Sequence, residues 1–319
     1  MTRAPVVTAF ALLSLLAIGV SVSAQPRETL GVVTEIKVGA GRAEIRRAGD
    51  EWRPAGPLQA LREGDQVRAL GDASVVVLLS SGRGTVNVDA KNSPLVIARP
   101  SPPESKLGKA WTMVAHGVQS LTTGFGETPK AVIVTRALGR APEILTPRNG
   151  PMLPDSLVFE WIGTRGSRYI VRVLGPSGVV LPDTEVRGAR FQYPPAAPPL
   201  QPGVPYRFQV IAIDQQASET AFEVVDATRA QAVENDLRAI DAALSPSASA
   251  NSLAVARVAV LADGGFFHDA RLAVVVALAR DPDQPVLHTL LGSLYMQTGL
   301  PRQAAESFDE ADFLLKRNR

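Results

Sequence analysis

Apolar positions in the first third of the chain come in short runs, each closed by a glycine turn. The stretch 61–79, Leu-Arg-Glu-Gly-Asp-Gln-Val-Arg-Ala-Leu-Gly-Asp-Ala-Ser-Val-Val-Val-Leu-Leu, carries two strand signals hinged on turns. Gly64-Asp65 and Gly71-Asp72 each join a residue tolerant of positive φ to a side chain that hydrogen-bonds its own backbone. The run 75–79 is β-branched and too short for a helix, which predicts a strand buried on both faces, deep in a β core. Strand character continues through 85–88 and 95–97 and stops at Arg99-Pro-Ser-Pro-Pro, so 99–105 reads as an extended connector. Leu107, Trp111, Val114, Val118 and Leu121 then recur at helical spacing, predicting an amphipathic helix over 106–122 with Gly117 as its weak point. A membrane-seeking helix would carry more cation than Lys106 and Lys109, so its apolar stripe is expected to dock on the β module. A β-branched strand at 131–135 is expected to return to that module.

From residue 142 the texture changes to alternating strands with proline-rich joints. Leu157, Phe159 and Trp161 share one face, as do Tyr169, Val171 and Val173, and then Tyr206, Phe208 and Val210, with arginines and Gln209 opposite. This is the half-buried antiparallel pattern, and it predicts a small antiparallel β-sandwich over 142–227 in which the aromatics pack the core. The remainder, 228–319, reads as helical. Val233, Leu237, Ile240 and Leu244 mark one helix, and beyond it the chain repeats with a period of 34 residues. Leu261 pairs with Tyr295, Gly265 with Gly299, Ala270 with Ala304, Val274 with Phe308 and Ala277 with Ala311. The small residues let paired helices approach, and Asp281-Pro282 breaks between the repeats 251–284 and 285–318. The fold class is therefore multidomain, β followed by α.

Three resemblances attach to these segments. Gly31 opening a strand, the strand 43–47, Trp52 ahead of Pro54, the Leu-x-x-Gly-Asp-x-Val-Arg phrase at 61–68, and Ser81-Gly82 before 85–88 together resemble the FecR domain of bacterial envelope proteins, giving a module over 29–140. The family usually has an acidic residue and Gly-Ser in the last turn, where this chain has Ser81-Gly82-Arg83-Gly84. The phrase Leu200-x-Pro-Gly-x-x-Tyr206 resembles the tyrosine-bearing strand of fibronectin type III-like modules. The 34-residue register resembles tetratricopeptide repeats: Leu291-Gly292, Tyr295, Ala304, Phe308 and Ala311 match the second repeat, while the first departs at Arg257 and Val258. Two repeats are fewer than such a stack usually needs, so the helix 226–244 is expected to cap it, or the stack to lean on the sandwich.

Composition narrows the chemistry. Apolar residues make up 45% of the 319, and a net charge of +2 recommends neither nucleic acid nor an anionic membrane as partner. Arg46-Arg47 and Lys316-Arg317 read as solvated strand and helix ends. There is no cysteine, which removes disulfides, thiolate chemistry and Cys-based metal sites together. The three histidines, His116, His268 and His288, have no partner at ligand spacing, and the Gly-x-Gly pairs lack the third glycine of a dinucleotide loop. No catalytic, cofactor or metal constellation is expected. At the N-terminus, Arg3, the apolar run 6–22 and Val22-Ser23-Ala24 form a signal-peptide pattern with cleavage after Ala24 and export to the periplasm. The alternative is an uncleaved N-terminal membrane anchor.

These readings converge on a non-enzymatic periplasmic scaffold or sensor, with no cofactor, that binds an envelope protein or peptide, or a cell-wall or membrane complex. The modes expected are capture in a concave helical face and at exposed strand edges. Better-known FecR proteins pass an envelope signal through a membrane segment to a cytoplasmic part that controls a sigma factor. Only 1–5 precede the apolar run here, so that role is not expected to carry over. The tetratricopeptide resemblance turns the first helix of each repeat to the partner, which puts Val255, Ala259, Thr289, Ser293 and Met296 in the groove. Other readings are an envelope or glycan-processing accessory enzyme with converging carboxylates between modules, or a structural spacer.

Overall fold

A computed structural model of the protein describes residues 28–47, 49–81, 84–99, 108–123, 141–148, 150–164, 166–212, 216–244 and 247–317. The N-terminal apolar segment with its cleavage site, most of the connector 99–105, residues 106–107 and the strand expected at 131–135 lie outside them. Eight strands build the first module: β1 (Gly31–Lys37), β2 (Arg42–Arg46), β3 (Arg53–Pro54), β4 (Ala60–Leu61), β5 (Gln66–Leu70), β6 (Ser74–Leu79), β7 (Thr85–Val88) and β8 (Leu95–Val96). They form two antiparallel four-stranded sheets, ordered β4-β1-β6-β7 and β3-β2-β5-β8. Gly64 and Gly71 turn the chain with φ of 83° and 66°, the region that only a residue without Cβ enters at little cost.

The strand buried on both faces is β1. The expectation had been the run 75–79, but in β6 Val75, Val77 and Leu78 are buried while Val76 and Leu79 are half-buried. In β1 every residue from Gly31 to Ile36 is buried, because its second face is covered by helices from the far end of the sequence.

The second module comprises β9 (Glu143–Thr146), β10 (Gly150–Met152), β11 (Val158–Ile162), β12 (Arg168–Gly175), β13 (Gly178–Arg187), β14 (Arg190–Gln192), β15 (Pro205–Ala212) and β16 (Ser218–Val224). Its sheets, β10-β16-β15-β12-β13 and β14-β11-β9, are antiparallel except that β10 runs parallel to β16. They enclose a separate core in which Phe159 meets Phe208 at 4.3 Å between ring centroids and Trp161 stands edge-on to Tyr169 at 5.4 Å. Tyr206, the second residue of β15, has its ring in this core, and its hydroxyl accepts from the Gln201 N–H at 2.7 Å, so the loop leading into the strand is tied to the strand itself.

Among the described residues there are six α-helices: α1 (Gly108–Thr122), α2 (Ala227–Leu244), α3 (Ala250–Asp263), α4 (Phe267–Arg280), α5 (Pro285–Gln297) and α6 (Pro301–Lys316). The hairpins α3–α4 and α5–α6 coincide with the 34-residue repeats, and their turns place Gly265 and Gly299 at φ of 79° and 74°. Gly292 lies under the ring of Phe308, where a Cβ would fall 2.6 Å from the ring edge. Among the described residues no helix is long and apolar enough to cross a membrane.

Residues of the first module, α1 and α2 to α5 share one core. The helix α1 makes its principal packing with α3 and touches α5 and β4 less, which corrects the expectation that it docks on the β module. Its buried stripe is Ala110, Trp111, Val114, Gly117, Val118 and Leu121, and the Trp111 indole N–H reaches back to donate to Thr29 O at 3.0 Å. The contact is close because Gly117 has no side chain: a Cβ there would penetrate the Ala259 carbonyl. Replacing Gly117 with Val is expected to lower the free energy of unfolding by about 3 kcal/mol, the upper range for overpacking. Urea denaturation followed by far-ultraviolet dichroism measures it.

Candidate partner-binding surfaces

The helical groove is built by α3 and α5, and its occupant is part of the same chain. Val255 and Ala259 are fully buried beneath α1 and the shared core. Ser293 is also buried and donates to Thr289 O at 2.7 Å, while Thr289, half-buried, donates to Pro285 O at 2.9 Å. Met296 alone of the five is open, at 41% exposure. Beside it Gln297 donates to Ser120 O of α1 at 3.2 Å, and His116 of α1 pairs with Asp263 at the end of α3. The expected partner groove is thus corrected: α1 and the shared core cover Val255 and Ala259, Ser293 is buried, and only Met296 and part of Thr289 reach solvent. Sequence reasoning identified the apolar stripe of α1 and the small residues of α3 separately; the signal joining them was a mid-helix Gly117 able to face Ala259.

On the other side of the same helices sits the second module, held by polar groups. Arg271 of α4 forms a 2.6 Å ion pair with Glu160 of β11, with both side chains largely buried. Arg148 donates to Thr298 O at 2.8 Å, Leu153 N donates to Asp269 at 3.2 Å, and His268 is hydrogen-bonded to Thr146. Arg302 and Gln303 of α6 both hold the Glu143 carboxylate, at 3.1 and 3.0 Å. A broad crevice of about 260 Å³ on the second module, lined by residues of that module alone, holds Glu143 and Glu219. Two acids facing one crevice are what an inter-module hydrolytic site would need. Each is already paired: Glu143 with Arg302, and Glu219 with Arg207 at 3.3 Å and Gln209 at 2.5 Å. General acid catalysis wants a carboxyl held away from cations, which neither of these two is.

Strand edges offer little. The longest edge, β13, carries Pro182, which lacks the N–H a docking strand would use, and exposed Asp183, Glu185 and Arg187. The outer strands of the first module are short, two residues in β3, β4 and β8 and four in β7.

What stays open is the outer face of the β3-β2-β5-β8 sheet. Alternation turns Ala43, Ile45, Val67 and Ala69 into the core and Arg42, Glu44, Arg46, Gln66, Arg68 and Leu70 outward. Register sets Glu44 opposite Arg68 and Arg46 opposite Gln66. The half-buried Trp52, two residues ahead of Pro54, then receives both guanidinium groups, Arg68 at 4.0 Å and Arg46 at 4.7 Å from its ring centroid. Arg68 is neutralised by Glu44 at 2.7 Å, whereas Arg46 is held by the uncharged Gln66 at 3.0 Å. Val96 extends the patch and is 53% exposed. In sequence Arg46 reads as a solvated strand end; its partnership with Trp52 depends on cross-strand register that periodicity does not carry. Among the described residues no group of His, Cys, Asp or Glu is placed to hold a metal ion.

No protein-family model matches the chain, and no curated protein matches it.

Two substitutions test the joints. Ala259→Arg is expected to destabilise the protein by about 3 kcal/mol or more, because the new charge has no water and no partner beneath α1. Arg271→Met should cost about 2 kcal/mol by leaving Glu160 only the exposed Arg190, and adding Glu160→Gln should recover part of that loss. Chemical unfolding of the single and double variants reads both.

Proposed function

We propose that this chain is an exported, non-enzymatic scaffold or sensor of the bacterial envelope, in which the first β module meets the partner and the helical stack holds the modules in fixed relation. The N-terminal signal-peptide pattern supports export to the periplasm. A FecR-like reading of the first module is supported by the positive-φ glycines of the Leu-x-x-Gly-Asp phrase and of its successor turn. The Tyr206 tether to Gln201 is the corner that fibronectin- and immunoglobulin-like sandwiches use, and it supports that reading of the second module. The matched turns at Gly265 and Gly299 support tetratricopeptide-like hairpins.

The observation that carries the reading is the Arg46–Trp52–Arg68 stack on an open sheet face. Tryptophan and arginine are the residues most often responsible for binding energy at protein interfaces, and here packing holds them in place before any partner arrives. The uncompensated Arg46 favours a protein partner that offers a carboxylate beside an apolar side chain for Val96. A photo-crosslinking residue at position 96, in its own cells, should form a discrete protein adduct that Trp52→Ala abolishes while the thermal midpoint moves little. The same residue at position 296 should form none. Adducts at 296 alone, or adducts at 96 indifferent to Trp52→Ala, would refute the assignment of this face.

A further inference from the structure

The last turn of α6 presents Phe313 to solvent at 55% exposure, on a face otherwise made of charged residues. Beside it is a crevice of about 270 Å³ between α6 and the first module, floored by Ile36, Val38, Ala43 and Ala55 and walled by Asp312 and Leu315. Asp312, Leu315 and Lys316 share one side of the helix, and Phe313 stands about 100° round from Asp312. A knob and a hole with an apolar floor and the Asp312–Lys316 pair on its wall therefore lie on neighbouring sides of one helix end. That is the arrangement a two-fold contact needs, since each copy must offer the same patch as both donor and acceptor.

Charge along α6 agrees. Exposed Glu306, Asp309, Glu310 and Asp312 occupy its middle, and exposed Lys316 and Arg317 its end and the residue beyond it; the surface pairs these bases make, with Asp312 and Asp283, are the weak, solvent-exposed kind that a second copy can rearrange. Two such helices running antiparallel set the acids of one against the bases of the other, whereas a parallel pair would oppose like charges. A net charge of only +2 leaves little general repulsion between copies.

We propose that two copies of this chain associate through α6, each inserting Phe313 into the crevice of the other beside Ile36 and Leu315. Sedimentation equilibrium on the full chain should give twice the monomer mass at micromolar concentration. Phe313→Glu should halve it, and at concentrations low enough for both proteins to be monomers it should leave the thermal midpoint unchanged, because the side chain is more than half exposed in the single copy. Gly56→Phe should do the same by filling the hole from within; a Cβ at Gly56 finds only Gln59 Oε1, at 3.5 Å, so the site accepts a side chain. A protein that stays monomeric, or a dimer that survives both substitutions, overturns the proposal. So does a monomer that binds anilinonaphthalene sulfonate and loses it on Gly56→Phe, which would assign the crevice to a small apolar ligand.

Discussion

The seating of α1 against α3 is the constraint on which the rest of the structure depends. Helix backbones approach this closely only where side chains are small on both sides, and Gly117 facing Ala259 provides that. Once α1 is seated, Trp111 ties the start of the β module to it through Thr29, and β1 is brought beneath α3 and α5. The polar groups that this buries are then answered in kind. Thr34 is bonded to Ser252 at 2.7 Å, the Ile36 N–H donates to Gln284 at 3.1 Å, and Ser249 donates to Glu35. Leaving any of them unpaired would cost more than the pair contributes, so the interface has one register.

The two joints of the helical stack differ in kind. The one with the first module is a continuous apolar core with a few matched hydrogen bonds. The one with the second module is charged, with a small apolar cluster of Tyr295, Leu300, Ala304 and Phe308 against Leu145. Arg271 Nε and Arg302 Nε are buried there without hydrogen bonds, the latter within 4.0 Å of Glu306, although other atoms of both guanidinium groups are paired. Such a joint contributes orientation more than stability, because desolvating the ions offsets most of their attraction. A body with one tight and one polar joint holds a sheet face at a set distance and angle from its other modules, which suits a scaffold.

Local structure was legible wherever one physical rule acted alone. Gly-Asp turns, the alternation in β12 and β15, and the 34-residue register of α3 to α6 all appear at their expected positions. Placement was less legible. The periodicity of α1 says that one face must be covered but not by what, and Ala259 looked like a groove residue because its helix was considered without α1. The run 75–79 was expected to be the doubly buried strand from its composition, yet β1, with Thr34 and Glu35 in it, holds that position. Its polar residues are there to meet Ser252 and Ser249, partners more than two hundred residues away that no local window contains.

That separation has a consequence for the order of events during synthesis. Loops of this length close slowly, and contacts between distant residues form only after both are available. The first module is made early, but the second face of β1 stays uncovered until α3 and α5 have followed it. A chain delivered from its N-terminus must therefore hold Thr34 and Glu35, whose partners are Ser252 and Ser249, in an unfinished state while the intervening module folds on its own core. The interval is the period in which this protein is most exposed to aggregation, and it ends only when nearly the whole chain has emerged.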